Sequence, residues 1–193
     1  IGDEMGAPWS GFFTSRPGFK ALVRASSSMW RVATQLHALH RDEKQWLTQF
    51  SALFPLCKAM GLSVSHYALP GDCYGVLSND FTNRLKDGIE KASTVASSAA
   101  GELARVFTGA KSTQSLHPCF NATGELCEGV KQALSKGTAA LISVYNPQMI
   151  ARNEFVELLV PITAARTGLS VTTADGAHRT MVCQLSPSEV ELE

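Results

Sequence analysis

Apolar residues recur at steps of three and four along the first half of the chain, and this spacing predicts three helices. The runs cover residues 19–36, 46–60 and 77–106. Pro17 stands where a proline is tolerated at a helix start, and Pro55 predicts a kink in the second helix or its division into two pieces. Three apolar-striped helices with short connections fold most simply as an up-down-up bundle.

The pattern changes after residue 107, where the apolar runs become short and β-branched. Such runs are typical of strands. Segments 139–145 and 155–162 are predicted strands, and 169–173 with 180–185 form a predicted hairpin. Four strands in the last third do not bury both of their faces, so they look like the opening of a larger β-domain.

Composition argues against some classes of partner. The 193 residues contain 17 basic and 17 acidic side chains, and this neutrality argues against nucleic acid, whose binding requires a basic surplus. No apolar run approaches the length of a membrane span, and the N-terminus does not read as a signal peptide. The chain does not begin with Met, which suggests a fragment or a processed piece.

The five cysteines are too scattered for a disulfide miniprotein and lack the spacing of a structural zinc site. One local pair, Cys119 and Cys127, encloses Asn121, the acceptor of an Asn-Ala-Thr glycosylation signal. A signal of this kind between two cysteines favours an oxidising, secretory compartment. Pairing of Cys57 with Cys73 is possible, but nothing in the sequence requires it.

No self-contained catalytic motif is present in the sequence. His37 and His40 lie three residues apart near the end of the first predicted helix, and we interpret them as a solvated pair rather than as metal ligands. His66, in the loop after the second helix, would on its own be interpreted as a hydrogen-bonded structural residue. A zinc site needs at least three protein ligands, and one histidine supplies only one of them.

Two segments carry a resemblance to a known family. Residues 9–17 read WSGFFTSRP, and residues 65–81 read SHYALPGDCYGVLSNDF. The first resembles the segment where the catalytic domain of the family 38 glycoside hydrolases passes into a helical middle domain, with Phe12 in place of the usual tyrosine. The second resembles their His-His-Asp-Ala-x-x-Gly-Thr motif and the Asn-Asp-(Tyr/Phe) that follows it. These enzymes are the retaining α-mannosidases of the lysosome and Golgi.

Within the second segment, His66, Ala68, Gly71 and residues 79–81 keep the family pattern, while Ser65, Tyr67 and Asp72 depart from it. The resemblance implies that His66 is a ligand of the catalytic zinc, whose other ligands are two aspartates and a histidine of the preceding catalytic domain. It also implies that the zinc holds hydroxyls of the mannose and that one of these aspartates is the nucleophile. Tyr67 stands where the family has an aspartate that contacts the sugar.

The resemblance continues beyond the helices. CFNATGELC, residues 119–127, is similar to a cysteine-bounded, glycosylated loop of the family, which implies a disulfide between Cys119 and Cys127 and a glycan on Asn121. ISVYNP, residues 142–147, resembles the strand end that opens the family's β-domain. We therefore predict an α+β fold, with a three-helix antiparallel bundle followed by the opening strands of a β-sandwich domain. The predicted domains are the end of the catalytic domain at 1–17, the helical middle domain at 18–108, and a linker with the first strands at 109–193.

The resemblance predicts a fragment of a retaining, zinc-dependent α-mannosidase that acts on N-glycan-type glycans in the secretory pathway, with a preference for the lysosome. The isolated fragment would be inactive because the nucleophile and the acid lie outside it. Its partners would be mannose-containing glycans and the neighbouring catalytic and β-domains of the same protein. The alternative is a non-catalytic interaction module with a decayed mannosidase site, for which Tyr67 is the main argument. A third possibility is a cloned or proteolytic domain without activity of its own.

Overall fold

The computed structural model describes residues 10–40, 46–109, 111, 116–119, 127–161 and 170–172. These residues form five helices: α1 (Ser10–Thr14), α2 (Pro17–Leu39), α3 (Trp46–Ser63), α4 (Gly75–Thr108) and α5 (Glu128–Ser135). The chain divides into two compact units, residues 1–100 and 101–193. None of the helices in the described ranges is long and apolar enough to cross a membrane.

The three helices predicted from apolar spacing are present as α2, α3 and α4. Helix α2 begins at Pro17, because the fixed φ of proline suits the first helical position. Helix α3 contains Pro55 and nevertheless runs unbroken to Ser63, so of the two predicted alternatives, a kink or a division, the division is wrong. Leu53 and Leu56, on either side of the proline, are fully buried. Their packing offsets the loss of one backbone hydrogen bond, since tertiary contacts supply most of a helix's stability.

A cluster of buried side chains joins the three long helices to the loop between α3 and α4. Its members are Phe19 of α2, Ala59 of α3, Ala68 of the loop, and Phe81 and Leu85 of α4. Phe19 of α2 and Phe81 and Leu85 of α4 lie on the apolar faces that the sequence spacing predicts. The predicted face of α3 is wrong in part, because Phe50 and Cys57 are exposed while Leu56 and Ala59 are buried. The same cluster also fixes one residue of a loop, which matters for the site described below.

Helices α3 and α4 approach each other closely at Gly88. A Cβ at this position would lie 2.7 Å from the Cα of Leu56 and 3.0 Å from its backbone nitrogen. No side chain fits in that space, so glycine at residue 88 allows the two helix backbones to come together.

In the second unit, α5 is an eight-residue helix that follows a disulfide between Cys119 and Cys127, whose Cα atoms are 5.5 Å apart. Val130 of α5 is buried. The ring of His117 lies against the helix at Gly129, where a Cβ would be 3.5 Å from its Cδ2 atom. These contacts hold the described part of this segment together locally.

The predicted α+β class is wrong for the part of the chain that the structure describes. Segments 139–145 and 155–161 contain no strand, and Phe155 is fully exposed. A strand exists through hydrogen bonds to a neighbour, whereas β-branched composition expresses only a local preference. Of the predicted hairpin, only residues 170–172 are described, again without a strand. The rest of that hairpin lies outside the described residues.

Candidate functional site

The loop between α3 and α4, residues 64–74, carries His66. The first part of the loop is a compact turn, in which the carbonyl of Ser65 accepts hydrogen bonds from the amides of Ala68 and Leu69 at 3.1 and 3.0 Å. Ala68 retains 1% of its surface and belongs to the core cluster. The backbone is therefore fixed to the core only two residues after His66.

The side chains of His66 and Tyr67 are exposed, and Tyr67 retains 74% of its surface. His66 makes no hydrogen bond to another residue in the described part of the chain. No contact among the described residues therefore supports the interpretation of His66 as a hydrogen-bonded structural residue. An exposed imidazole on a fixed backbone has the donor chemistry of a common zinc ligand.

His66 belongs to no cluster of three or more metal-binding side chains in the described ranges. Nowhere in them do three or more His, Cys, Asp or Glu side chains lie close enough to hold a metal ion. Asp80 accepts a hydrogen bond from Arg84 at 2.7 Å. That bond, together with the charge of the carboxylate, raises the pKa of Arg84. The imidazole of His66 suits zinc as one ligand, but the described residues do not supply the three protein ligands that a zinc site needs.

The second part of the loop is held by two residues just before α2, Ser15 and Arg16, and Ser15 is in turn held by Lys20 of α2. Ser15 donates a hydrogen bond from Oγ to the carbonyl of Pro70. Arg16 donates from Nη2 to the carbonyl of Cys73 at 2.6 Å and from Nη1 to its Sγ at 3.1 Å. Lys20 donates to both the carbonyl and the Oγ of Ser15. We call Ser15, Arg16 and Lys20 the anchor residues.

Two unusual backbone conformations accompany these contacts. Arg16 has a φ of 47° and a ψ of 58°, the left-handed region that is uncommon for a residue with a side chain. Gly71 has a φ of 76°, and a Cβ on it would lie 2.2 Å from Oγ of Ser15. The loop and the anchor residues therefore meet at a distance that only glycine permits.

Residues 79–81, the last part of the second segment, include one side chain that packs with the same loop. Phe81 is 8% exposed and packs in the cluster that contains Ala68. Asn79 and Asp80 lie on the exposed side of α4. The two segments singled out by sequence are brought together in space by Ser15 and Arg16, which contact Pro70 and Cys73. Phe81 instead packs with the loop of its own segment, through Ala68. Lys20 lies outside both segments, and no signal in the sequence pointed to it.

The predicted solvated pair of His37 and His40 is wrong for His37. This residue is 1% exposed, its Nδ1 donates to Oε1 of Gln49 at 3.1 Å, and its ring stacks on Trp46 with centroids 4.1 Å apart. Its Nε2 has no hydrogen-bond partner among the described residues. His37 is therefore part of the contact between α2 and α3 and not a surface ligand.

The disulfide between Cys119 and Cys127 encloses Asn121, which lies outside the described residues. Cys57 and Cys73 are both free thiols. The possible pairing of these two residues is therefore absent, and Cys73 instead contacts Arg16.

Comparison with known proteins gives consistent matches. Residues 7–103 match the family described as the alpha mannosidase middle domain. A probable alpha-mannosidase of Arabidopsis thaliana is 28% identical over 186 residues, which are 96% of this chain and 17% of that protein. An alpha-mannosidase of Canavalia ensiformis is 29% identical over 164 residues, 82% of this chain and 16% of that protein.

A lysosomal alpha-mannosidase of Dictyostelium discoideum is 23% identical over 186 residues, 92% of this chain and 18% of that protein. No solved structure gives a significant match. The chain therefore spans less than a fifth of the length of each of these three relatives.

Proposed function

Because the chain belongs to the family of alpha-mannosidase middle domains, we propose that it is one part of an α-mannosidase and that His66 supplies one ligand of the catalytic zinc. The observation that carries this proposal is the placement of His66. Its side chain is exposed, while the backbone around it is fixed by the buried Ala68 and by the anchor residues. A metal ligand needs this combination of a fixed backbone and an accessible ring.

The rest of the site would come from other parts of the same protein. When bound, the zinc would hold hydroxyls of a mannose residue and orient its ring for a retaining hydrolysis. This chain's own contribution is the imidazole of His66 and, beside it, the exposed phenol of Tyr67. Tyr67 offers a hydrogen bond to a sugar hydroxyl but no charge, which favours a specificity or a rate different from that of relatives with an aspartate there.

Without the remaining ligands, the chain by itself would neither retain zinc nor cleave a glycoside. The three relatives named above are all called alpha-mannosidases, which supports mannose-containing glycans as the substrates of the whole protein. The disulfide between Cys119 and Cys127 supports an oxidising compartment. A lysosomal location is supported by the name of the Dictyostelium relative.

The test is the substitution His66→Ala in the whole protein, with His117→Ala as its control because both histidines are exposed. Zinc per polypeptide is measured after dialysis, and turnover is measured on an aryl α-mannoside. We expect His66→Ala to lose zinc and to lower turnover by at least about a hundredfold, since removing an outer partner of a ligand already costs about 10–100-fold. His117→Ala should retain both.

Two outcomes would decide against the proposal. Unchanged zinc and turnover in His66→Ala would remove the ligand assignment. A wild-type protein that holds zinc but does not hydrolyse α-mannosides would instead favour the non-catalytic interaction module, a reading suggested by Tyr67 at the sugar-contacting position.

A further inference from the structure

We infer that Arg16 and Ser15, braced by Lys20, are positioning residues that set the place of the His66 imidazole in the metal site. This inference rests on the proposed function of His66 and extends it to residues that do not themselves contact a metal. It is carried by the contacts that join the start of α2 to the loop at residues 64–74.

His66 lies between two points at which the loop backbone is held. Before it, the Ser65 carbonyl closes the turn by accepting from the amides of Ala68 and Leu69. After it, Ala68 enters the core, and Ser15 and Arg16 contact the loop at Pro70 and Cys73. A backbone fixed at both ends leaves only the side-chain torsions of His66 free, and this preorganisation favours a defined position for a ligand.

The guanidinium of Arg16 is suited to holding the loop backbone in one position. Its guanidinium makes two contacts to one residue, to the carbonyl and to the Sγ of Cys73. A lysine ammonium at the end of a flexible stem does not reproduce the rigid fork of donors. Arg16 adopts its left-handed conformation immediately before the first turn of α2. Strained conformations of this kind persist where the surrounding structure over-determines them and cluster at functional sites.

Close approach between the two segments supports the same inference. Gly71 lies against the hydroxyl of Ser15, where even a methyl group would collide at 2.2 Å. Lys20 donates to the carbonyl and to the hydroxyl of Ser15. The hydroxyl that reaches the loop is therefore itself held in place, and the loop has little freedom to shift relative to α2.

The experiment uses the whole protein with cobalt in place of zinc, because the visible spectrum of cobalt reports the coordination geometry. The variants are Arg16→Gln, Arg16→Lys and Ser15→Ala. The control is Arg24→Gln, which changes an exposed arginine of α2. Three quantities are measured: the rate at which a chelator removes the metal, the cobalt spectrum, and the melting temperature.

We expect Arg16→Gln to release the metal about 10–100-fold faster, as outer-shell substitutions do, and to change the cobalt spectrum at temperatures far below melting. Arg16→Lys should restore neither property fully, and Arg24→Gln should match the wild type. A merely structural role for Arg16 would lower the melting temperature and leave the spectrum of the folded protein unchanged, which would overturn the inference.

A second pair of variants covers the case in which Arg16→Gln does not fold. Gly71 and Gly137 both have positive φ, but only Gly71 lies against another residue. We expect Gly71→Ala to accelerate metal release and Gly137→Ala to leave it unchanged. Equal release rates in both variants would contradict the inference.

The experiments distinguish a failure of this inference from a failure of the proposed function. If His66→Ala loses the metal while the variants at residues 15, 16 and 71 retain wild-type release rates and spectra, the positioning role is wrong and the ligand assignment stands. If His66→Ala retains the metal, the proposed function is wrong, and this inference falls with it.

Discussion

The helices of residues 10–100 and the segment 138–161 both carry apolar side chains, yet they bury them very differently. Leu53, Leu56 and Leu85 in the helices have no exposed surface, whereas Phe155 and Met149 in the segment are fully exposed. A helix makes its hydrogen bonds within itself and needs one neighbour to cover its apolar face. An extended segment gains neither hydrogen bonds nor burial until a second segment pairs with it. The stability of the described structure therefore lies in its helices.

The largest expected effect comes from two phenylalanines that differ in burial. Phe81→Ala removes a ring from the core cluster of α4, and we expect it to lower the free energy of unfolding by about 3–5 kcal/mol. Phe155→Ala removes an exposed ring and should change that free energy by less than about 0.5 kcal/mol. Urea titrations followed by circular dichroism measure both. Similar losses in the two variants would contradict the contrast between the regions.

A smaller effect separates two glycines within the helices. At Gly88 a methyl group would collide with the backbone of Leu56, while at Gly61 there is nothing within 4 Å. We expect Gly88→Ala to destabilise the protein by about 1–3 kcal/mol, the usual cost of overpacking. Gly61→Ala should stabilise it by about 0.5–1 kcal/mol, because alanine favours the helix.

The same urea titrations give both free energies of unfolding, and opposite signs are the expected result. If Gly88→Ala also stabilised the protein, the close contact between α3 and α4 would be wrong. The comparison therefore tests whether the helical unit owes its packing to backbone approach as well as to apolar side chains.

The helices could be predicted from the sequence because their pattern is local. Phe19, Phe81 and Leu85 recur with the helical period and do enter the core. Strands in segments 139–145 and 155–162 could not be predicted in this way, since their pairing depends on partners distant in the chain. The β-branched composition of these segments expresses only a local preference for strand, and a strand forms only when the segment also pairs with another.

Of the candidate site, the histidine could be predicted from sequence, but the contacts that hold its loop could not. His66 was identified through its motif, and the structure places it on an exposed turn. The contacts of Arg16 could not be predicted, because they span 57 residues and because a residue before proline favours an extended conformation rather than a left-handed one. The prediction that His37 is solvated rests on its place near a helix end, and the structure contradicts it. Its spacing of four from the buried Ala33 was the signal for the core.

The smallest expected effect compares two exposed ion pairs, one in each region. Asp87 and Lys91 are four residues apart on α4, with 2.8 Å between the carboxylate and the ammonium. Arg152 and Glu154 form a pair two residues apart in the segment without a helix. The helix holds the first pair in register, with the acid on the N-terminal side, which is the favourable order. The second pair must order both its side chains and its backbone, and that loss of entropy opposes the attraction.

Double-mutant cycles measure the two coupling energies, with Asp87→Asn and Lys91→Gln in one cycle and Glu154→Gln and Arg152→Gln in the other. We expect about 0.3–0.5 kcal/mol for the helical pair and less than about 0.2 kcal/mol for the other. In 1 M salt the helical coupling should fall towards zero, because exposed charges are screened over a few ångströms. Equal couplings at low salt would mean that segment 138–161 holds its backbone as firmly as the helix, and the contrast between the two regions would then be one of burial alone.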